Sequence, residues 1–154
     1  MSGRVGISIV VAGAGALGSC IALALSRAGA RVTLIDPDPH ASASAVAAGM
    51  IAPVFESLLD DEAGPGFETL SAAASLWSGL ARNIGLSLDR QGAMAVGAAE
   101  DLERWAEQAR GLGAPCERLG RPAAEARVEG LSAPDGGLYT ALDIRLDPRA
   151  ALAA

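Results

Sequence analysis

The chain has 154 residues, 51% of them hydrophobic and 19% charged, a balance that excludes intrinsic disorder and fits one domain able to bury roughly two thirds of its unfolded surface. Its 12 basic residues are all arginine and face 18 acids, for a net charge of −6, and with no arginine–aromatic cluster such a chain is not expected to bind a nucleic-acid backbone. Aromatics are only 3% and much of the apolar count is alanine, so the core is expected to be thin.

Val5 to Ala12 is dense in Val and Ile and reads as a strand buried on both faces. From Val5 to Ser26 no residue is charged, and Arg4 stands just before, as in a membrane segment or a signal peptide. The β-branched run and Gly13, Gly15 and Gly18 speak against that, because an unbroken apolar helix would not be punctuated this way. No membrane span is expected. A helix is predicted over Ala16 to Ala28, with Leu17, Ile21, Leu25 and Ala28 on one side and Gly29 as its stop. A second strand runs from Arg31 to Ile35 and ends at Asp36. Together these form a strand, turn, helix, strand unit of the length a βαβ crossover needs.

Past Asp36 and Pro37 comes a loop holding His40, then a helix-like or coil stretch of Ala and Ser up to Gly49. Leu58 to Gly66 reads as an exposed connector. A helix is predicted over Phe67 to Ile84, closed by Gly85, with Leu70, Trp77, Leu80 and Ala81 at helical offsets and Leu76 and Trp77 as packing residues. Strands follow at Leu86 to Leu88 and Ala93 to Gly97, a helix at Glu100 to Leu112, a strand at Cys116 to Leu119, a short helix at Pro122 to Val128 and a strand at Leu138 to Ala141. Asp147 and Pro148 then open a helix with a capping acid and a proline at its first position. That this helix stops within seven residues reads as a truncated chain. Cys20 and Cys116 form no CxxC pair and His40 has no ligand-type neighbours, so no metal site or disulfide framework is expected, and a cytoplasmic setting fits best.

The chemistry lies in Gly13-Ala-Gly-Ala-Leu-Gly18. Gly13 allows a tight turn out of the strand, Gly15 lets backbone approach a pyrophosphate, and Gly18 lets helix and strand pack closely, while the helix amides face the negative charge. Asp36, 18 positions after Gly18, can accept hydrogen bonds from ribose hydroxyls and would repel a 2′-phosphate. That disfavours NADP and leaves NAD or FAD. A bare glycine turn would explain the first motif, and a turn acid before Pro37 the second, but their joint placement between strand and helix favours a nucleotide. In Ala43 to Pro53, small residues around Gly49 let backbone lie against a flat ring, and Ser44 can reach a phosphate. An alanine-rich linker is the plainer reading.

The glycine motif through Asp36, followed by Ala47-Ala-Gly-Met-Ile-Ala-Pro53, resembles the amino-terminal half of glycine oxidase and the related D-amino-acid oxidase or dehydrogenase group of FAD enzymes. Gly136-Gly-Leu-Tyr-Thr140 and Leu146-Asp-Pro-Arg149 are similar to that family's return from substrate domain to flavin domain. The resemblance implies an α/β fold: a Rossmann-like FAD/NAD(P)-binding parallel sheet in residues 1–85, the beginning of an α+β substrate domain in 86–146, and a truncated return in 147–154. It implies FAD as cofactor, with Ala16 and Leu17 at the pyrophosphate turn, Asp36 and Pro37 at the ribose, Ala43 and Ser44 near the phosphates, and Ala48, Gly49 and Met50 beside the ribityl chain and flavin. It further implies oxidation of the C–N bond of glycine, a small amino acid or a secondary amine to an imine, a reaction that can serve thiamine biosynthesis, and a homo-oligomer for a full-length protein.

No catalytic residue can be matched. The family's substrate-binding Arg and Tyr lie in a second half, Arg145 and Arg149 sit beside acids as solvated residues, and Tyr139 reads as a packing aromatic. This chain by itself is expected to be inactive and to bind FAD weakly or not at all. Two other readings compete: an NAD-dependent dehydrogenase of ketopantoate-reductase type, which the glycine motif also resembles, and a nucleotide-binding fragment without turnover.

Overall fold

The computed structural model describes residues 6–38, 41–59 and 66–154. Arg4, the expected strand start at Val5, the loop residue His40 and most of the expected connector lie outside those residues. The backbone divides into two compact units, Met1–Gly49 with Asp147–Ala154, and Met50–Leu146.

The first unit is built on β1 (Ser8–Ala12), α1 (Ala16–Arg27) and β2 (Arg31–Ile35). The two strands run parallel, with Ser8 opposite Arg31 and Ala12 opposite Ile35, as the βαβ reading requires. A short 3-10 turn, Ala43–Val46, and a last helix, α6 (Pro148–Ala153), complete the unit. Asp147 begins α6 as expected: its carboxylate accepts the amides of Arg149 at 2.8 Å and Ala150 at 3.0 Å.

Burial in this unit corrects two expectations. β1 is not enclosed on both faces, since its residues alternate between exposed and half-buried and Val10 stays 64% exposed. The reason is topological: β1 belongs to a two-stranded sheet, paired with β2 alone among the described residues. The inward face of α1 is also shifted from the expected stripe. Leu17 and Ile21 are exposed, whereas Gly18, Ala22 and Leu25 are half-buried. Gly18 dictates this, because its close approach to the β1 turn selects which side of the helix meets the sheet.

The second unit contains α2 (Pro53–Leu59), α3 (Phe67–Ile84), α4 (Ala99–Leu112) and α5 (Arg121–Glu125). Its strands form two antiparallel three-stranded sheets. One orders β3 (Met50–Ile51), β8 (Ile144–Leu146) and β4 (Leu88–Asp89), and the other β5 (Ala93–Ala95), β7 (Gly137–Thr140) and β6 (Glu117–Leu119). The core joins Val54, Phe55 and Leu58 of α2 to Leu102, Ala106 and Ala109 of α4 and Leu138 of β7. Three of the eight buried members of this cluster are alanines, Ala106, Ala109 and Ala114, and the partly buried Ala93 and Ala95 pack against it, so each such contact removes little area from water.

α3 spans the predicted residues and is closed by Gly85 in the left-handed conformation. Its packing differs in one place: Leu76 is 72% exposed while Trp77 is half-buried, because adjacent helical positions point about 100° apart and only one can face inward. Leu58 is no connector residue but a buried member of α2. Within the second unit residues 50–85 group with 86–146, since α2 packs on α3 and α4 and β3 pairs with β8.

Candidate functional site

The glycine motif closes the end of β1 onto the end of β2. Gly13 adopts φ +101°, a conformation that strains any residue with a Cβ, and its amide donates to the Ile35 carbonyl at 2.7 Å. Gly18 is fixed by space instead: a Cβ there would lie 1.8 Å from the Gly13 carbonyl oxygen. Ser19, one residue later in α1, donates its hydroxyl to the Ala14 carbonyl at 3.1 Å. Asp36 holds the turn from the other strand, its carboxylate accepting the amides of Ala14 at 2.7 Å and Asp38 at 2.9 Å. Each carboxylate oxygen carries a second lone pair, so both remain able to accept a hydroxyl.

The start of α1 is open to an anion. Its N-cap is Gly15 in extended conformation, with no side-chain cap and no acid in the first turn, so neither a resident acceptor on the cap residue nor a repelling charge opposes a bound phosphate. The 3-10 turn comes to this point: the Ala16 amide donates to the Ser44 hydroxyl oxygen at 3.0 Å. A Cβ added at Gly15 would stand 3.2 Å from that same oxygen, a tight contact that would press on Ser44. Ser42 secures the turn by accepting the Ala45 amide on its hydroxyl at 3.2 Å.

Gly13, Gly15, Ala16, Gly18, Asp36 and Ser44 are thus brought together within one unit, with Pro37 following Asp36 and Ala43 opening the turn. The Leu17 side chain is exposed; beyond the turn Ala48 and Met50 are exposed and Gly49 is half-buried, Met50 being the first residue of β3 paired with Arg145. Ser19 and Ser42 were not singled out from the sequence. Ser42 carries a usable signal, a serine directly before a short helical turn; Ser19 carries none, since a helix-interior serine is unremarkable by type alone.

In the second unit Tyr139 packs as expected, with the Arg127 guanidinium 3.6 Å over its ring and its hydroxyl donating to the Gln91 carbonyl at 3.0 Å. Arg145 pairs with Asp89 at 3.0 Å on the surface, and the Gln91 amide, then Arg145, holds the Asp89 carboxyl below its ordinary range. Asp143 is buried and accepts the amides of Val54 at 2.9 Å and Phe55 at 3.0 Å. Burial nevertheless pushes its carboxyl upward. Burial, and then the charge of Asp143, also raises the half-buried Cys116 thiol. Among the described residues no group of acids, histidines or cysteines is placed to hold a metal ion, and no helix is long and apolar enough to cross a membrane.

A family model described as FAD dependent oxidoreductase matches residues 8–154. No curated protein matches the sequence. Among solved structures, glycine oxidase from Geobacillus kaustophilus is similar with a TM-score of 0.81 and 22% identity, over 94% of this chain and 41% of that one. Iminodiacetate oxidase from Chelativorans sp. BNC1 is similar with a TM-score of 0.76 and 22% identity, over 94% of this chain and 42% of that one. L-Amino acid deaminase from Proteus myxofaciens, in complex with anthranilate, has a TM-score of 0.75 and 20% identity, over 99% of this chain and 36% of that one. The likeness establishes the fold, and the chain spans about two fifths of the length of the glycine oxidase it matches.

Proposed function

The chain belongs to the FAD dependent oxidoreductase family, and from that premise we propose that it supplies the adenosine- and diphosphate-binding part of an enzyme that oxidises the C–N bond of a small amine. The single observation that carries this reading is the meeting of Ser44 with the Ala16 amide beside Gly15. Two loops far apart in sequence converge on one helix start whose own N-cap residue, Gly15, has no side-chain acceptor, an arrangement suited to a diphosphate.

Asp36 would accept the ribose hydroxyls while keeping its bonds to Ala14 and Asp38. Ala16 and Leu17 would line the diphosphate turn, with the Ala16 amide held by Ser44. Ser44, which accepts from Ala16, has its own hydroxyl proton to donate to a phosphate oxygen. Ala48, Gly49 and Met50 would border the ribityl chain and flavin, where the lack of bulk at the first two lets backbone lie against a ring. When bound, FAD would supply the two-electron acceptor for oxidation of the C–N bond to an imine, which water would hydrolyse. The protein's task is to hold and orient.

The substrate class is glycine, a small amino acid or a secondary amine, and a place in thiamine biosynthesis and a homo-oligomeric, cytoplasmic protein belong to the same reading. Residues 86–146 would begin the substrate domain. Family membership favours FAD over the NAD-dependent, ketopantoate-reductase-type alternative. Amide chemical shifts of Gly13, Gly15 and Gly18 titrated with FAD, ADP and NAD test the site, because even weak binding moves them. Displacement by FAD and ADP supports the reading, and no displacement by either overturns it. Bleaching of bound flavin by glycine, sarcosine or a D-amino acid would support the oxidase chemistry. Binding without bleaching would favour a nucleotide-binding chain without turnover.

A further inference from the structure

The 3-10 turn that carries Ser44 is too short to hold itself. A four-residue turn has few internal hydrogen bonds to offset the entropy of ordering it. Its buried residue, Ala45, is 6% exposed, and the Ser42 hydroxyl accepts the Ala45 amide. The Ala45 carbonyl is held from the far end of the sequence: Arg149 donates its Nε to that oxygen at 3.4 Å, across 104 residues. The arginine is itself aimed by its helix. Asp147 accepts the Arg149 amide and so fixes the first turn of α6, and α6 packs on the 3-10 turn and on α1.

We propose that Arg149 is a positioning residue for the nucleotide site, bracing the Ala45 carbonyl so that the neighbouring Ser44 hydroxyl stays at the Ala16 amide. The contact is geometric, but its consequence rests on the reading of Ser44 as a phosphate contact given above. A long Nε–H···O bond is a modest restraint by itself. Its leverage comes from acting on the residue next to Ser44, where a small displacement of the turn would break the 3.0 Å contact with Ala16. A solvated arginine would exert no such control. Lysine keeps a donor on a flexible stem and should restore part of the restraint, whereas alanine removes it.

The test is native-state hydrogen exchange of the whole chain, comparing wild type, Arg149→Ala and Arg149→Lys, with ADP and FAD titrations of each. In Arg149→Ala the amides of Ala16 and Ala45 are expected to exchange about tenfold faster while those of β1 and β2 hold, with Arg149→Lys recovering much of the protection. ADP affinity should fall in the same order. Unchanged exchange at Ala16 and Ala45 would overturn the proposal, as would an equal rise throughout the unit, or a loosened turn with unaltered ADP affinity. If the turn loosens as expected but wild type binds neither ADP nor FAD, the bracing contact stands and it is the nucleotide reading that fails.

Discussion

The amide of Ala14 donates to the Asp36 carboxylate at 2.7 Å, joining the glycine turn to the end of the second strand across 22 residues. Hydrogen bonds to a charged acceptor contribute about 1.5–3 kcal/mol, and the lower end applies here because the pair is only partly buried. Asp36→Ala is therefore expected to lower stability in urea titration by about 1.5 kcal/mol. It should also weaken ADP and FAD binding at least about tenfold, through the lost ribose acceptor. Unchanged nucleotide affinity would remove Asp36 from the site.

Gly18→Ala sets two effects against each other. Alanine improves helix propensity by about 1 kcal/mol, but its Cβ would lie 1.8 Å from the Gly13 oxygen, and overpacking of backbone costs about 1–3 kcal/mol. The clash should win. The variant is expected to melt at lower temperature and to lose ADP-induced shifts at Gly13 and Gly15.

Ser44→Ala removes the acceptor for the Ala16 amide. Water can replace it at this exposed position, so stability should change by no more than about 1 kcal/mol. ADP affinity is expected to fall several-fold more than adenosine affinity, since only the former reaches the diphosphate position. Equal losses for the two ligands would argue that Ser44 acts elsewhere.

Asp143 does for α2 what its own N-cap cannot. The Ala52 position before Pro53 has no side-chain acceptor, and Asp143, 89 residues away, accepts the Val54 amide instead, together with that of Phe55. Asp143→Ala leaves two buried donors unpaired, each costing about 1–3 kcal/mol, and should lower the unfolding free energy by at least about 2 kcal/mol. Asp143→Asn, which keeps one acceptor, should cost less.

Two carboxylates should give opposite pH signatures. Burial raises the Asp143 pKa above 3.8, so the folded state holds that proton more tightly. The stability this contributes is present below the unfolded pKa and is lost as pH rises through the elevated folded one. The Gln91 amide and Arg145 lower Asp89 below 3.8, so its contribution is present above 3.8 and is lost as pH falls through the depressed folded value. In urea titrations from acid to neutral pH, wild type minus Asp143→Asn should decline with rising pH. Wild type minus Asp89→Asn should increase. A decline for both would contradict the assignment at Asp89.

The βαβ unit, its glycine turn and Asp36 were legible because each rests on local signals: β-branched runs, glycines at the turn, and an acid where the second strand ends. The ends of α3 were equally readable from its periodicity and Gly85. α2 was not, although Pro53 with Glu56 in the first turn is a recognisable start. Its cap comes from Asp143, and no local window contains that residue. The two-residue β3 was invisible for a similar reason, since it exists only through pairing with β8.

The sequence by itself determined the chemistry-bearing types and their spacing, because backbone conformation and capping depend on neighbours a few residues away. Tertiary structure alone decided that Ser44 meets the start of α1, that Leu17 and Ile21 stay exposed, and that Arg149 reaches Ala45. Those are contacts between distant segments, fixed by packing and excluded volume, and no periodicity in the chain encodes them.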